Sequence, residues 1–363
     1  MTRLLVGDAL EQLATLPDES VHCCITSPPY WGLRSYLPTG SPDKALELGA
    51  EKTPEEYVAR LVDVFSEVRR VLRDDGVCWL NLGDSYVSSP RGNAPGDVSS
   101  SSLTNPSRQD EVPRNGGYQR PPGLKPKDLC LIPYRVALAL QSDGWYLRSH
   151  VIWAKGVSFC EHYSGSVMPE SVRDRPTSAH EAVFLLTKSE RYWYDADAVR
   201  EASSEGSHGG GEAHDGRYQA MSGRHDSNRA MGIVTPTRNL RNVWAISPRS
   251  YSGSHYAVFP AALVAPMLKA GCPAKVCAEC GAPWPKDDVP DDQGDRFVCR
   301  HFADDPDGST VGGLALDPFI GSGTVAQVAQ DYGRRWIGID LDPRNAALIH
   351  KRTAQQSLLG RAR

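Results

Sequence analysis

Apolar and polar positions along this chain fall into alternating short runs and longer periodic stretches. Arg3–Val6 is an apolar run closed by Gly7-Asp8 and reads as a strand, a helix is expected near Ala9–Leu16, and Val21–Thr26 reads as a buried strand. Thr53, Pro54 and Glu56 then form a helix start: an N-cap, a proline at the first helical position and a capping-box glutamate. Leu61, Val64, Phe65, Val68 and Leu72 recur at helical spacing until Gly76, predicting a long amphipathic helix. A strand over Val77–Gly83, a helix over Ile132–Ser142 and a strand over Tyr146–Ala154 continue the pattern. Glu181–Leu186 and Arg191–Tyr194 are read as a strand pair. Residues 255–270 return to a helical period, and 313–356 gives strand, turn, helix, strand, helix. Strands alternating with helices predict an α/β fold around a mostly parallel sheet.

Two segments break this alternation. Residues 87–127 are rich in Ser, Pro, Gly and Asn and carry scattered basic residues, as a long loop would. Residues 201–232 are rich in Gly, Ser and His with little apolar content. The chain is therefore divided into 1–155, 156–250 and 251–363. A Cys-bearing insert lies at 271–312.

At 363 residues, with 40% hydrophobic and 23% charged positions, the sequence describes an ordinary globular protein with ample core. No stretch approaches the roughly 20 apolar residues of a membrane span, and the first residues do not resemble a signal peptide, so a cytoplasmic location is expected. Nine cysteines without a regular framework fit reduced thiols. A net charge of −4 means that any nucleic-acid surface must come from local segregation of charge.

Candidate chemistry concentrates at two strand ends. Val21–Thr26 runs into Ser27-Pro28-Pro29-Tyr30, where the prolines lack N–H donors and forbid continuation of the strand. Far along the chain, Leu314–Leu316 runs into Asp317-Pro318-Phe319-Ile320-Gly321-Ser322-Gly323-Thr324, a glycine loop through which backbone can approach a ligand. The next strand ends on Asp340-Leu341, an acid suited to a ribose diol. With Ala326 at the third position, the spacing alone also admits a dinucleotide.

Together these motifs resemble those of the DNA amino-methyltransferases, over residues 1–85, 128–195 and 235–350. The resemblance implies a circularly permuted S-adenosylmethionine-dependent fold with a seven-stranded sheet and helices on both faces, in which Arg3–Val6 supplies the third strand. It implies that Ser27, Pro28, Pro29 and Tyr30 are catalytic. Ser27 Oγ and the Pro28 carbonyl would accept the target amine's N–H bonds, and Tyr30 would stack on a flipped base. Serine in this motif is associated with N4-cytosine enzymes, where adenine-specific relatives commonly carry Asp or Asn; N6-adenine methylation is the alternative, and a non-catalytic DNA-binding protein with this fold is a second.

For the donor, the resemblance points to Asp317, Pro318, Phe319, Gly321, Ser322, Gly323, Thr324, Asp340 and Leu341. Asp8 would accept from its adenine amine, or else serve as a turn or helix N-cap residue. His255 and Phe259 match a motif beside the methionine end, and Asn81 is placed at the border of the same pocket. Double-stranded DNA is the expected partner, with a cognate restriction endonuclease in a bacterial or phage setting. Its contacts are assigned to Arg108, Arg114 and Arg120 of the loop and to Arg217, Arg224, Arg229, Arg238 and Arg241, with target recognition within 156–250.

Independently of the resemblance, Cys277-x-x-Cys280-Gly281 and Cys299-x-His301, eighteen residues apart, suit tetrahedral structural zinc, with Cys272 as an alternative ligand.

Overall fold

The computed structural model describes residues 2–33, 35–38, 40–87, 123–202, 237–248, 259–284, 299, 301 and 308–354. In chain order the elements are β1 (Arg3–Val6), α1 (Ala9–Ala14), β2 (Val21–Thr26), α2 (Pro54–Val71), β3 (Leu72–Leu82), α3 (Ile132–Ser142), β4 (Tyr146–Ala154) and β5 (His180–Thr187). Short strands β6 (Glu201–Ala202), β7 (Thr237–Arg238) and β8 (Val243–Ala245) follow. The chain then forms α4 (Ala261–Gly271), β9 (Val276–Cys277), β10 (Thr310–Val311), β11 (Leu314–Asp317), α5 (Thr324–Asp331), β12 (Arg335–Asp340) and α6 (Asn345–Ala354).

The main sheet has the order β1-β12-β11-β2-β3-β5-β4-β8. Strands from β1 through β3 are parallel, while β5 inserts antiparallel between β3 and β4. The N-terminal strand thus completes a sheet whose glycine-loop strand comes last in sequence, the permuted order expected. Seven strands match that expectation, and an eighth, β8, adds three residues parallel to the outer edge of β4. All six residues of β2 are buried, as befits a central strand covered on both faces.

Helix α2 begins as the sequence dictates, with Thr53 capping Glu56 N and the Glu56 carboxylate accepting from Thr53 N. Its buried Tyr57, Leu61, Phe65 and Val68 pack on the sheet, each fully buried side chain contributing about 1.5–3 kcal/mol. The helix stops at Val71, earlier than the glycine signal suggested, because Leu72 turns extended (φ −72°, ψ 136°) and pairs with Val21. Gly76 lies inside β3 instead, at a register shift, where a Cβ would come within 2.7 Å of Leu72 Cγ. Arg191–Tyr194 is not a strand: the partners of β5 are β3 and β4, and Trp193 N donates to the Asp75 carbonyl instead.

The chain separates into two compact units, one comprising Met1–Tyr194 with Asn242–Arg363 and the other Asp195–Arg241, which falls inside the 156–250 region. Among the described residues no helix is long and apolar enough to cross a membrane.

Candidate active site

The strand order reverses direction between β11 and β2, and at the carboxyl ends of such strands an α/β sheet opens a crevice. An open cleft lies there. Ser27, Pro28, Pro29 and Tyr30 form one wall, Pro318, Phe319, Gly321, Ser322 and Thr324 another, and Asp8, Phe259, Asp340 and Leu341 also face it. Thirteen residues singled out in sequence are therefore brought together from both ends of the chain.

The glycine loop is held by hydrogen bonds to two acids. Asp317, buried at the end of β11, accepts from Thr26 Oγ1 at 2.7 Å and from Phe319 N at 3.1 Å. Burial raises its carboxyl to about 7 despite these two bonds. Asp317 thus shapes the loop from beneath and does not line the cleft. Asp340 Oδ2 accepts from Gly321 N at 2.8 Å, while its Oδ1 accepts from Asp342 N and Asn345 Nδ2. Gly323 caps α5 with φ 82°, a left-handed conformation that favours glycine. Asp8 caps α1 through Oδ1, accepting from Leu10 N and Glu11 N, and also borders the cleft.

Around Ser27 the side chains form one connected network. Ser27 Oγ donates to Tyr30 Oη at 3.2 Å, and Tyr30 Oη donates to Glu181 Oε2 at 2.6 Å. Asn81 Nδ2 reaches Tyr30 Oη and Glu181 Oε2 at 2.8 Å each, and Ser27 Oγ at 3.3 Å. Lys155 forms an ion pair with the other oxygen of Glu181. Burial, then the Glu181 charge, push the Tyr30 phenol well above its ordinary ionisation range. The turn itself is fixed by Tyr57 Oη, which donates to the Pro29 carbonyl at 2.8 Å. Asn81 accordingly sits with the Ser27–Tyr30 motif, whereas the sequence reading put it at the donor pocket.

Sequence reasoning missed Glu181, Lys155 and the segment that lines the cleft at Tyr36, Leu37, Leu46, Glu47 and Leu48. Glu47 is buried and accepts from the backbone N–H of Tyr36 and Leu37, the Ser35 hydroxyl and Lys44. Burial works to raise its carboxyl, but Lys44 and those N–H groups together hold it below the usual range. No sequence period marks these positions. The only signal was polar residues in a stretch whose one regular element is a five-residue 3-10 helix, Pro42–Leu46.

In the insert, Cys277, Cys280, Cys299 and His301 bring one ligand atom each within 4.8 Å of all the others. Cys277 Sγ lies 3.5 Å from His301 Nδ1 and Cys280 Sγ 3.6 Å from Cys299 Sγ. Metal–sulfur bonds of about 2.3 Å imply tetrahedral edges of about 3.8 Å, so the donor set fits a four-coordinate ion. Gly281, at φ 71°, makes the knuckle by donating its N–H to the Cys277 carbonyl. Cys272 stands outside the cluster in the buried core, its thiol pushed up to about 12 by burial.

Of the assigned DNA contacts, Arg238 and Arg241 are described, and both pair with Glu201 at 3.0 Å. Arg108, Arg114, Arg120, Arg217, Arg224 and Arg229, and also His255, lie outside the described residues.

Comparison with known proteins identifies the family and the fold. The family model described as DNA methylase matches residues 21–351. The chain is 38% identical over 354 residues to the Type II methyltransferase M.XycI of Xanthomonas campestris pv. cyanopsidis, covering 98% of this chain and 88% of that one. It is 36% identical over 356 residues to the Type II methyltransferase M.SmaI of Serratia marcescens, covering 96% and 90%. Among solved structures, the PvuII DNA methyltransferase, cytosine-N4-specific by name, shares the fold at TM-score 0.54 and 17% identity, over 99% of this chain and 88% of that one.

Proposed function

The chain belongs to the DNA methylase family, and from that premise we propose that it transfers a methyl group from S-adenosylmethionine to the N4 amine of cytosine in a specific sequence of duplex DNA. The observation that carries this reading is the placement of Ser27-Pro28-Pro29-Tyr30 across one cleft from the Gly321–Gly323 loop.

An exocyclic amine has its lone pair delocalised into the ring and is a poor nucleophile. Ser27 Oγ and the Pro28 carbonyl accept its two N–H bonds and draw the nitrogen toward tetrahedral geometry, so the lone pair points into the cleft. Catalysis is then dominated by positioning. Tyr30 offers its ring to a base flipped out of the duplex, and Gly83 leaves that ring its space, since a Cβ there would lie 2.5 Å from Tyr30 Cε2. When bound, S-adenosylmethionine supplies an electrophilic methyl on its sulfonium. The cleft residues fit it: Phe319, Pro318 and Leu341 offer apolar surface, the glycine loop offers close backbone approach, and Asp340 and Asp8 offer acceptors. Serine at position 27, where adenine-specific relatives commonly carry Asp or Asn, supports the cytosine reading over N6-adenine.

Cys277, Cys280, Cys299 and His301 hold structural zinc, with all four coordination positions filled by protein. Target recognition lies within residues 156–250, the arginines of 216–249 and the basic loop 108–127 contact the DNA, and a cognate endonuclease is the expected cellular counterpart.

Labelled methyl transfer tests the reaction. With radioactive S-adenosylmethionine and duplex DNA, the wild-type chain should label the DNA, and Ser27→Ala should lose about 10²-fold or more in rate while still binding the donor. Donor binding without any transfer by the wild type would support the non-catalytic alternative instead.

A further inference from the structure

Glu181 stands at the head of β5, far in sequence from the Ser-Pro-Pro-Tyr motif, yet it ends a hydrogen-bond chain that begins at Ser27. The chain has one direction. Ser27 Oγ donates to Tyr30 Oη at 3.2 Å, and Tyr30 Oη donates to Glu181 Oε2 at 2.6 Å. A hydroxyl has a single proton, so Ser27, having given its proton toward Tyr30, presents only lone pairs to the cleft. A carboxylate can only accept, and Lys155 and Asn81 hold it in place.

We propose, resting on the methyl-transfer reading above, that Glu181 is a positioning residue that fixes this polarity and receives the proton released by the target amine. After the amine has taken the methyl group it is cationic and must lose one N–H proton. That N–H bond breaks as the proton passes to Ser27 Oγ, the Ser27 proton moves to Tyr30 Oη, and the Tyr30 proton moves to Glu181 Oε2. The base leaves as a neutral methylamine and Glu181 as a neutral acid, which returns its proton to solvent beside the partly exposed Lys155. Serine alone is too weak a base to keep that proton, so a terminal carboxylate completes the step. The buried Tyr30 phenol resists ionisation, which suits a group that passes a proton without holding a charge.

Glu181→Gln tests this at nearly constant shape. Its amide donates to Tyr30 Oη, reverses the chain and cannot take a proton. The expected result is a single-turnover methylation rate lower by about 10²-fold or more, with donor Kd and duplex KM changed by less than about threefold. Glu181→Asp should recover part of the rate. Because Glu181→Gln leaves Lys155 without its ion-pair partner, the double variant with Lys155→Met is measured as well, and should regain thermal stability without regaining rate. Wild-type rates in Glu181→Gln, or full recovery of rate in the double variant, would overturn the proposal. Absence of DNA methylation by the wild-type chain would overturn the functional reading and the relay together, a result distinct from a wild type that works and a variant that works equally well.

Discussion

His22 of β2 and Gly281 of the Cys-bearing insert are bound to each other: His22 Nε2 donates to the Gly281 carbonyl at 2.8 Å, across 259 positions of sequence. The other ring nitrogen, Nδ1, accepts from Leu314 N at 3.1 Å, which fixes the neutral tautomer with its proton on Nε2. One buried imidazole therefore joins the strand that ends at Ser27, the strand that ends at the glycine loop, and the knuckle of the Cys/His cluster.

That arrangement predicts acid sensitivity with a definite sign. Burial is the main cause that lowers His22 to about 4, while the bond to Gly281 opposes it. In the unfolded chain the ring takes up a proton near 6.5, so its contribution is fully present above that pH and is lost as pH falls toward 4, by roughly 3 kcal/mol. Asp317, pushed up to about 7, acts in the opposite sense and is common to both proteins compared. Urea unfolding of the wild type and His22→Gln from pH 7.5 to 4.5 should show the stability difference shifting toward the variant as pH falls. A pH-independent difference would count against it.

Metal removal is a second test. Purified protein should contain about one zinc per chain, and chelation or Cys299→Ser should lower the Tm by about 5 °C or more. Elemental analysis without stoichiometric zinc would remove the metal from the account.

Gly83→Ala places a Cβ 2.5 Å from Tyr30 Cε2 and must displace the ring. Methylation should slow by about 10²-fold, with donor affinity unaltered, since a misplacement of about 1 Å at a positioning group has that effect. Equal rates in variant and wild type would mean that Tyr30 does not need its observed pose.

Asp340→Ala removes the carboxylate that accepts from Gly321 N, Asp342 N and Asn345 Nδ2. Loss of charge-assisted bonds worth about 1.5–3 kcal/mol should raise the S-adenosylmethionine Kd roughly ten- to hundredfold in calorimetry. An unchanged Kd would show that the loop keeps its form without Asp340.

Much of the scaffold was legible because local chemistry and tertiary packing agree. The diproline ends β2 where the sheet ends, and the Thr53–Glu56 capping box forms both of its bonds. Other features depend on contacts that no local pattern encodes. Val243–Ala245 is too short to show a period and becomes a strand only because the edge of β4 is available. Glu181 reaches Tyr30 only because β5 inserts antiparallel next to β3, placing its first residues beside the last residues of β3, and so beside Asn81. Leu72 continues the apolar period of α2, yet pairing with Val21 takes it into the sheet.

Nucleoside analysis separates methylation of the cytosine N4 amine from methylation of adenine N6. Duplex DNA treated with this protein and S-adenosylmethionine is digested to nucleosides and resolved by mass spectrometry. N4-methylcytosine is the expected product. N6-methyladenine with no N4-methylcytosine would contradict it.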